Sequence, residues 1–223
     1  MLEDCNQYFT ELLNENNFNR IKYNARHFKP RLKTKKVWDS YEFHLNYFRK
    51  NNITRESLIL AISVAYSWMP TMLDIYKIKN TKDWKQLVND VKFLSCIKSY
   101  RDFEKLEDKI LDSLVRLASS INNSIVGASK VMHLFSPNYV PIIDSRVIKA
   151  WNFFFSDFSK RNTGIVHLTS KPEKYLEYWK AILYWNTQVP KSSVRQIEKF
   201  FFDFGGSPTL KSKDHKLKKK IIS

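Results

Sequence analysis

Between Ser57 and Trp68 the chain reads Ser-Leu-Ile-Leu-Ala-Ile-Ser-Val-Ala-Tyr-Ser-Trp, a run of 12 residues without a charge. Thr54 stands before it as an N-cap, with Glu56 and Ser57 in the first turn, so the run starts as a helix. It is apolar on nearly every face. A helix of that kind is stable only when other elements cover most of its sides. The sequence therefore demands a core with this helix inside it. Only four glycines and seven prolines stand in 223 residues, too few for a turn-rich all-β chain. The length allows one large domain or two small lobes with a real core.

Apolar residues recur at three- and four-residue steps along most of the remaining chain. Leu2, Tyr8, Phe9, Leu12 and Leu13 predict an opening helix over 3–17. Trp38, Tyr41, Leu45 and Phe48 predict another, ended by Asn51-Asn52. After a break at Trp68-Met69-Pro70-Thr71, a helix is expected from Met72 toward Lys77. Further helices are expected from Asp83-Trp84 to Cys96, from Tyr100 to Ser119 and from Ser145 to Phe155. Pro172 opens one that runs to Trp185, and Pro190 opens the last, stopped by Gly205-Gly206. Ile165 to Leu168 reads as a short strand, and residues 24–37 as a loop. The fold class is all-α: a two-lobed helical domain over 1–210 with a cleft between the lobes, then a basic tail over 211–223.

Lysine and arginine number 38 against 22 acids, a formal charge of +16. That excess points to a polyanionic partner, most simply nucleic acid. Six basic residues fall in the 24–37 stretch and six lysines between Lys211 and Lys220. Hydrophobic residues at 43% and aromatics at 15% mark a globular chain. Cys5 and Cys96 are too few for a disulfide framework, a zinc site or an iron–sulfur cluster, which fits a reducing, cytoplasmic setting. The five histidines have no metal-site spacing, and there is no phosphate-cradling glycine loop and no nucleophile elbow. Neither a metal nor an organic cofactor is expected. No apolar run reaches the length of a membrane span, and the acidic start Met1-Leu2-Glu3-Asp4 is unlike a signal peptide.

The stretch with chemical potential is Val126-Gly127-Ala128-Ser129-Lys130-Val131-Met132-His133-Leu134-Phe135, followed by Ser136 to Val140 and then Pro141-Ile142-Ile143-Asp144-Ser145-Arg146-Val147. Val131, Leu134 and Phe135 form an apolar stripe on a helix. Lys130 sits at its edge and in its first turn, where partial burial and the helix dipole both disfavour the ammonium form. A lysine of lowered pKa is a candidate amine nucleophile. Pro141 keeps Val140 extended, so Asp144 arrives as the N-cap of the next helix, aimed at the N–H groups of Arg146 or Val147. On spacing alone, a solvated lysine and a plain capping aspartate are the commoner reading of these positions. His133, three residues after Lys130, either faces the site or is an ordinary partly buried helix residue.

Ser129-Lys130-Val131, then Val140-Pro141 and Asp144 opening a helix, resembles the catalytic segment of helix-hairpin-helix DNA glycosylases, closest to the 8-oxoguanine DNA glycosylase branch. The resemblance covers roughly residues 55–205 and is carried by 126–151. Where that family has Leu-Pro-Gly-x-Gly, this chain has Asn123-Ser124-Ile125-Val126-Gly127-Ala128. The resemblance implies a base glycosylase with associated strand cleavage (AP lyase) that acts as a monomer on double-stranded DNA with a damaged or modified base. Lys130 would attack the sugar carbon C1′ and Asp144 would assist. Gly127, Ser129, Arg146 and Lys149 would contact phosphates. Trp68, Met69, His133, Trp151 and Phe201, with its neighbour Phe200, would form the wedge or base pocket. A helical nucleic-acid-binding protein without catalysis is the main alternative, and a protein-interaction or toxin-type domain is a third.

DNA affinity is expected to fall steeply with salt, and the 24–37 and 211–220 lysines and arginines to carry part of that slope. Neutralising either cluster should lower both the affinity and the slope of its logarithm against log salt in an anisotropy titration.

Overall fold

In the computed structural model, residues 9–25, 32–69, 83–156, 167–189, 192–206 and 210 are described, with the backbone alone over 32–38. Among them all regular structure is helical. After a helical turn at 9–12 come α1 Glu15–Ala25, α2 Leu32–Lys50, α3 Arg55–Ser67, α4 Trp84–Ser95 and α5 Tyr100–Ser120. They are followed by α6 Ile125–Phe135, α7 Ser145–Phe154, α8 Pro172–Gln188 and α9 Val194–Gly205. The 211–223 tail, Met72–Lys77 and the basic residues 26–31 lie outside the described residues.

Local chemistry explains the starts. Thr54 and Ser57 cap α3 reciprocally, hydroxyl to backbone in both directions. Ser99 and Asp102 do the same for α5. Asp83 caps α4, Ser124 caps α6, Asp144 caps α7 and Ser193 caps α9. Each such cap contributes on the order of 1 kcal/mol.

Four expectations need correction. The opening helix is broken at Asn14, whose side chain accepts from Asn17 N at 3.0 Å and so restarts the chain as α1. Residues 32–37 are the first two turns of α2 and not a loop. Their lysines and leucine are good helix formers. The last helix begins at Val194 on a serine cap and not at Pro190. No strand is present at His167-Leu168. Instead Asn152 clamps the backbone of Leu168, accepting from its N–H at 2.7 Å and donating to its carbonyl at 2.8 Å. One side-chain amide replaces both bonds a neighbouring strand would supply.

The buried residues form one continuous cluster. The most enclosed helix is α6, not α3, which leaves Leu60 exposed. Nine of the eleven residues of α6 are buried, under cover from α2, α3, α4 and α5. A second centre lies where α7, α8 and α9 meet around Trp151, whose ring stands 5.1 Å from Tyr178 and 5.2 Å from Phe201. Between α4 and α5, Arg116 grips the buried Asp90 through two nitrogens at 2.8 and 2.9 Å, with Ser113 and Gln86 donating as well.

Helices α7 and α9 cross at Gly205. A Cβ built there would lie 2.1 Å from the Arg146 carbonyl oxygen and 2.6 Å from its carbon. Backbone cannot yield as a flexible side chain can, so the crossing requires glycine. Gly205→Ala should destabilise the fold by about 1–3 kcal/mol or more through overpacking. Urea unfolding checks this, and the expected signature is a lower midpoint with an unchanged slope.

Candidate active site

Lys130 and Asp144 stand on the walls of one cleft of about 440 Å³. The other walls include Trp68, Met69 and Tyr66 from the end of α3, Asn122 to Val126 from the α5–α6 turn, Ser145 and Ser170. Trp68 and Met69 are half-buried.

Lys130 is only 7% exposed. Burial lowers its pKa, while the carboxylates of Asp144 and Glu198 work against that shift without cancelling it. The cause foreseen from the sequence, partial burial, is thus the leading one. Among the described residues no hydrogen bond or ion pair engages the Lys130 amine. Asp144 is the N-cap expected from its position: Oδ1 accepts from Arg146 N and Val147 N, both at 2.9 Å. Among the described residues, nothing else engages its Oδ2.

The extended link between α6 and α7 is held by side chains along its length. The Trp179 indole donates to Tyr139 O at 2.6 Å and the Tyr175 hydroxyl to Pro141 O at 2.8 Å. His133 Nδ1 bonds Val140 O at 2.6 Å. Ile143 N donates to Ser129 Oγ at 3.2 Å, and that hydroxyl in turn donates to Val126 O. Ser129 precedes Lys130 on α6 and His133 follows it by one turn. The helix that carries the lysine therefore also fixes the segment that delivers the aspartate.

This arrangement reassigns several residues. His133 is fully buried and does not line the cleft. Since a carbonyl only accepts, Nδ1 carries the proton, and Nε2 accepts from the Tyr41 hydroxyl at 2.5 Å. Burial, and then the Arg195 charge, push its pKa far down, so it stays neutral. Ser129 is buried one turn into α6, where its N–H serves the helix and not a phosphate. Gly127 N donates to Ser124 Oγ at 3.0 Å and is likewise committed. Trp151 and Phe201 are enclosed in the α7–α8–α9 centre, so neither can stack on a ligand. Phe200 packs on Phe18 with ring centres 5.5 Å apart. Lys149 is exposed, and Arg146 is half-buried with its guanidinium 4.7 Å over the Phe202 ring.

Two features were missed. Asn122 and Asn123 both take the left-handed conformation, φ 54° and 53°, and both line the cleft. Asparagine tolerates that region, and the Asn-Asn pair before Ser124 was the available signal. The other is an ion pair on α9 between the buried Glu198 and the half-buried Arg195, whose guanidinium lies 4.4 Å over the Tyr41 ring. An i, i+3 pair normally marks a solvated face. Among the described residues no group of three or more His, Cys, Asp or Glu side chains is placed to hold a metal ion, and no helix is long and apolar enough to cross a membrane.

No family model matches the chain, and neither a curated protein nor a solved structure matches it.

Burial raises the Glu198 carboxyl from 4.5 to about 7 against the opposing Arg195 charge. The folded state therefore holds this proton to higher pH than the unfolded chain does. The stabilisation that results is complete below about pH 4.5 and is lost as pH rises through about 7. Glu198→Gln should remove that sensitivity, so urea unfolding between about pH 4.5 and 7 should show a flatter profile for the variant, whatever its absolute stability.

Proposed function

We propose that the chain is a DNA base-excision glycosylase with associated AP-lyase activity, working through a lysine imine. The observation that carries this reading is the pair of walls of one cleft: a buried, unpaired lysine amine of lowered pKa and a fixed aspartate. The formal charge of +16 supports a nucleic-acid partner. The cleft volume is in the range of small-ligand sites and suits a single flipped-out base.

In the proposed reaction the neutral Lys130 amine attacks C1′ of the flipped nucleotide. The bond from C1′ to the base breaks, and the base leaves with the electron pair. The attached nitrogen then gives up a proton, which Asp144 accepts on its unengaged oxygen and passes to the ring oxygen of the sugar. The sugar opens, and an imine joins Lys130 to C1′. Before attack, the aspartate charge also favours the cationic character that grows on the sugar. Trp68 and Met69 fit the role of wedge or pocket wall, and the exposed Lys149 that of a phosphate contact. By resemblance, the substrate class is an oxidised guanine or another modified base in duplex DNA.

Borohydride reduction should freeze the imine as a covalent protein–DNA complex. Lys130→Gln keeps similar bulk, so binding should survive while trapping and base release disappear. Asp144→Asn keeps an oxygen for the cap, so folding should change little and single-turnover base release should fall by about 100-fold or more. Trapping yield and base release are measured together on a panel of damaged and modified duplexes. Wild-type levels of both in Lys130→Gln would place the nucleophile elsewhere.

A further inference from the structure

On the outer face of α2, Phe43 is 72% exposed and Tyr47, one turn on, is 43% exposed. Large rings left in water on one helix face mark a surface that something covers. They are not isolated from the cleft. Phe43 contacts His44 edge-on with ring centres 5.7 Å apart, and His44 stands 5.8 Å from Trp68, a cleft wall. Trp68 is backed by Tyr41 at 6.0 Å. Aromatic rings therefore lead from the cleft mouth over α2 to solvent.

Basic residues outnumber acids along the same helix, five to two. Lys36, Phe43 and Lys50 fall at seven-residue steps, so their positions share one stripe, with about 10 Å of helix between neighbours. Arg49 and Lys50 are exposed in the last turn; Asp39 shares the Phe43 stripe, and the exposed Glu42 lies on the side of the helix that carries Arg49. Exposed rings between cations are the elements of a single-strand platform, in which bases stack on the rings and the backbone lies along the charges. A rigid duplex offers edges and phosphates but no free base faces.

We propose that the α2 face bearing Phe43 and Tyr47 binds unpaired nucleotides of a single DNA strand, with its aromatic track continuing through His44 to Trp68. This rests on the nucleic-acid part of the proposed function and is independent of Lys130 chemistry. For a base-flipping enzyme, such a face would hold unpaired bases beside the lesion.

The test is fluorescence anisotropy of the full chain with a labelled oligothymidine and with a matched duplex, at several salt concentrations. Both rings are exposed, so Phe43→Ala and Tyr47→Ala should fold normally. Each should weaken single-strand binding by about tenfold, the effect of losing one stacked base, and the pair by more. Phe43→Trp should restore affinity. Duplex binding should change much less, and the ratio to wild type should persist as salt rises. If both alanine variants bind the strand as the wild type does, the proposal is overturned, and a protein partner becomes the next occupant to test. Loss of strand binding in a protein that never traps on any duplex would uphold this surface and sink the glycosylase reading. Normal trapping with unaffected strand binding would do the reverse.

Discussion

The enclosure of α6 is the constraint on which the rest depends. Four helices cover it, and its apolar residues explain why they pack there. Its polar residues explain the detail. A buried hydroxyl or imidazole costs about 1–3 kcal/mol when unpaired, so Ser129 and His133 must find partners. They find them in the backbone of the 140–143 segment and in Tyr41. Satisfying α6 therefore also docks the extended link and orients α2. Lys130 is the exception on the helix, buried along its stem and opening into the cleft.

Much of this could be read in advance. The serine, threonine and aspartate caps are local signals, and Asp144 after Val140-Pro141 combined two of them, which is why its geometry was foreseen. Lysine 130 was legible because its place on a short apolar helix already implied burial. What failed was exposure. Trp151 and Phe201 are 50 positions apart in sequence and meet at 5.2 Å. Neither spacing records that contact, and an aromatic residue in a core reads like one in a pocket. His133 failed for the same reason, since its two partners lie on other segments. The Arg195–Glu198 pair has the spacing of a surface pair, and only the packing of α9 makes it internal. Gly205 was read as a stop signal. Its demand is a close approach by α7, a relation between two helices that no local pattern carries.

The Arg195–Glu198 pair on α9 acts on residues around the cleft. Burial depresses His133, and Arg195, which lies against Tyr41, adds to it; the imidazole thus stays neutral and keeps its acceptor nitrogen for the tyrosine. Glu198 and Asp144 both act to keep Lys130 protonated, yet burial outweighs them and the lysine pKa still falls. A direct ion pair would have reversed that balance. Contact at hydrogen-bond distance strengthens a charge interaction several-fold over a separated one in the same medium.

The capping role of Asp144 is what withholds that contact. With Oδ1 bonded to two backbone N–H groups at the start of α7, the carboxylate cannot turn freely toward the amine. The segment behind it cannot slide either, because Ser129, His133, Tyr175 and Trp179 each hold a backbone atom of it. An aspartate on a flexible loop would relax onto the nearest ammonium and silence it as a nucleophile. Here the geometry holds the two groups in one cleft, coupled electrostatically but apart, until something enters between them. In the proposed reaction the sugar carbon would then meet the amine and the carboxylate at once. The same cap that builds α7 thus keeps its carboxylate from pairing with the lysine on α6.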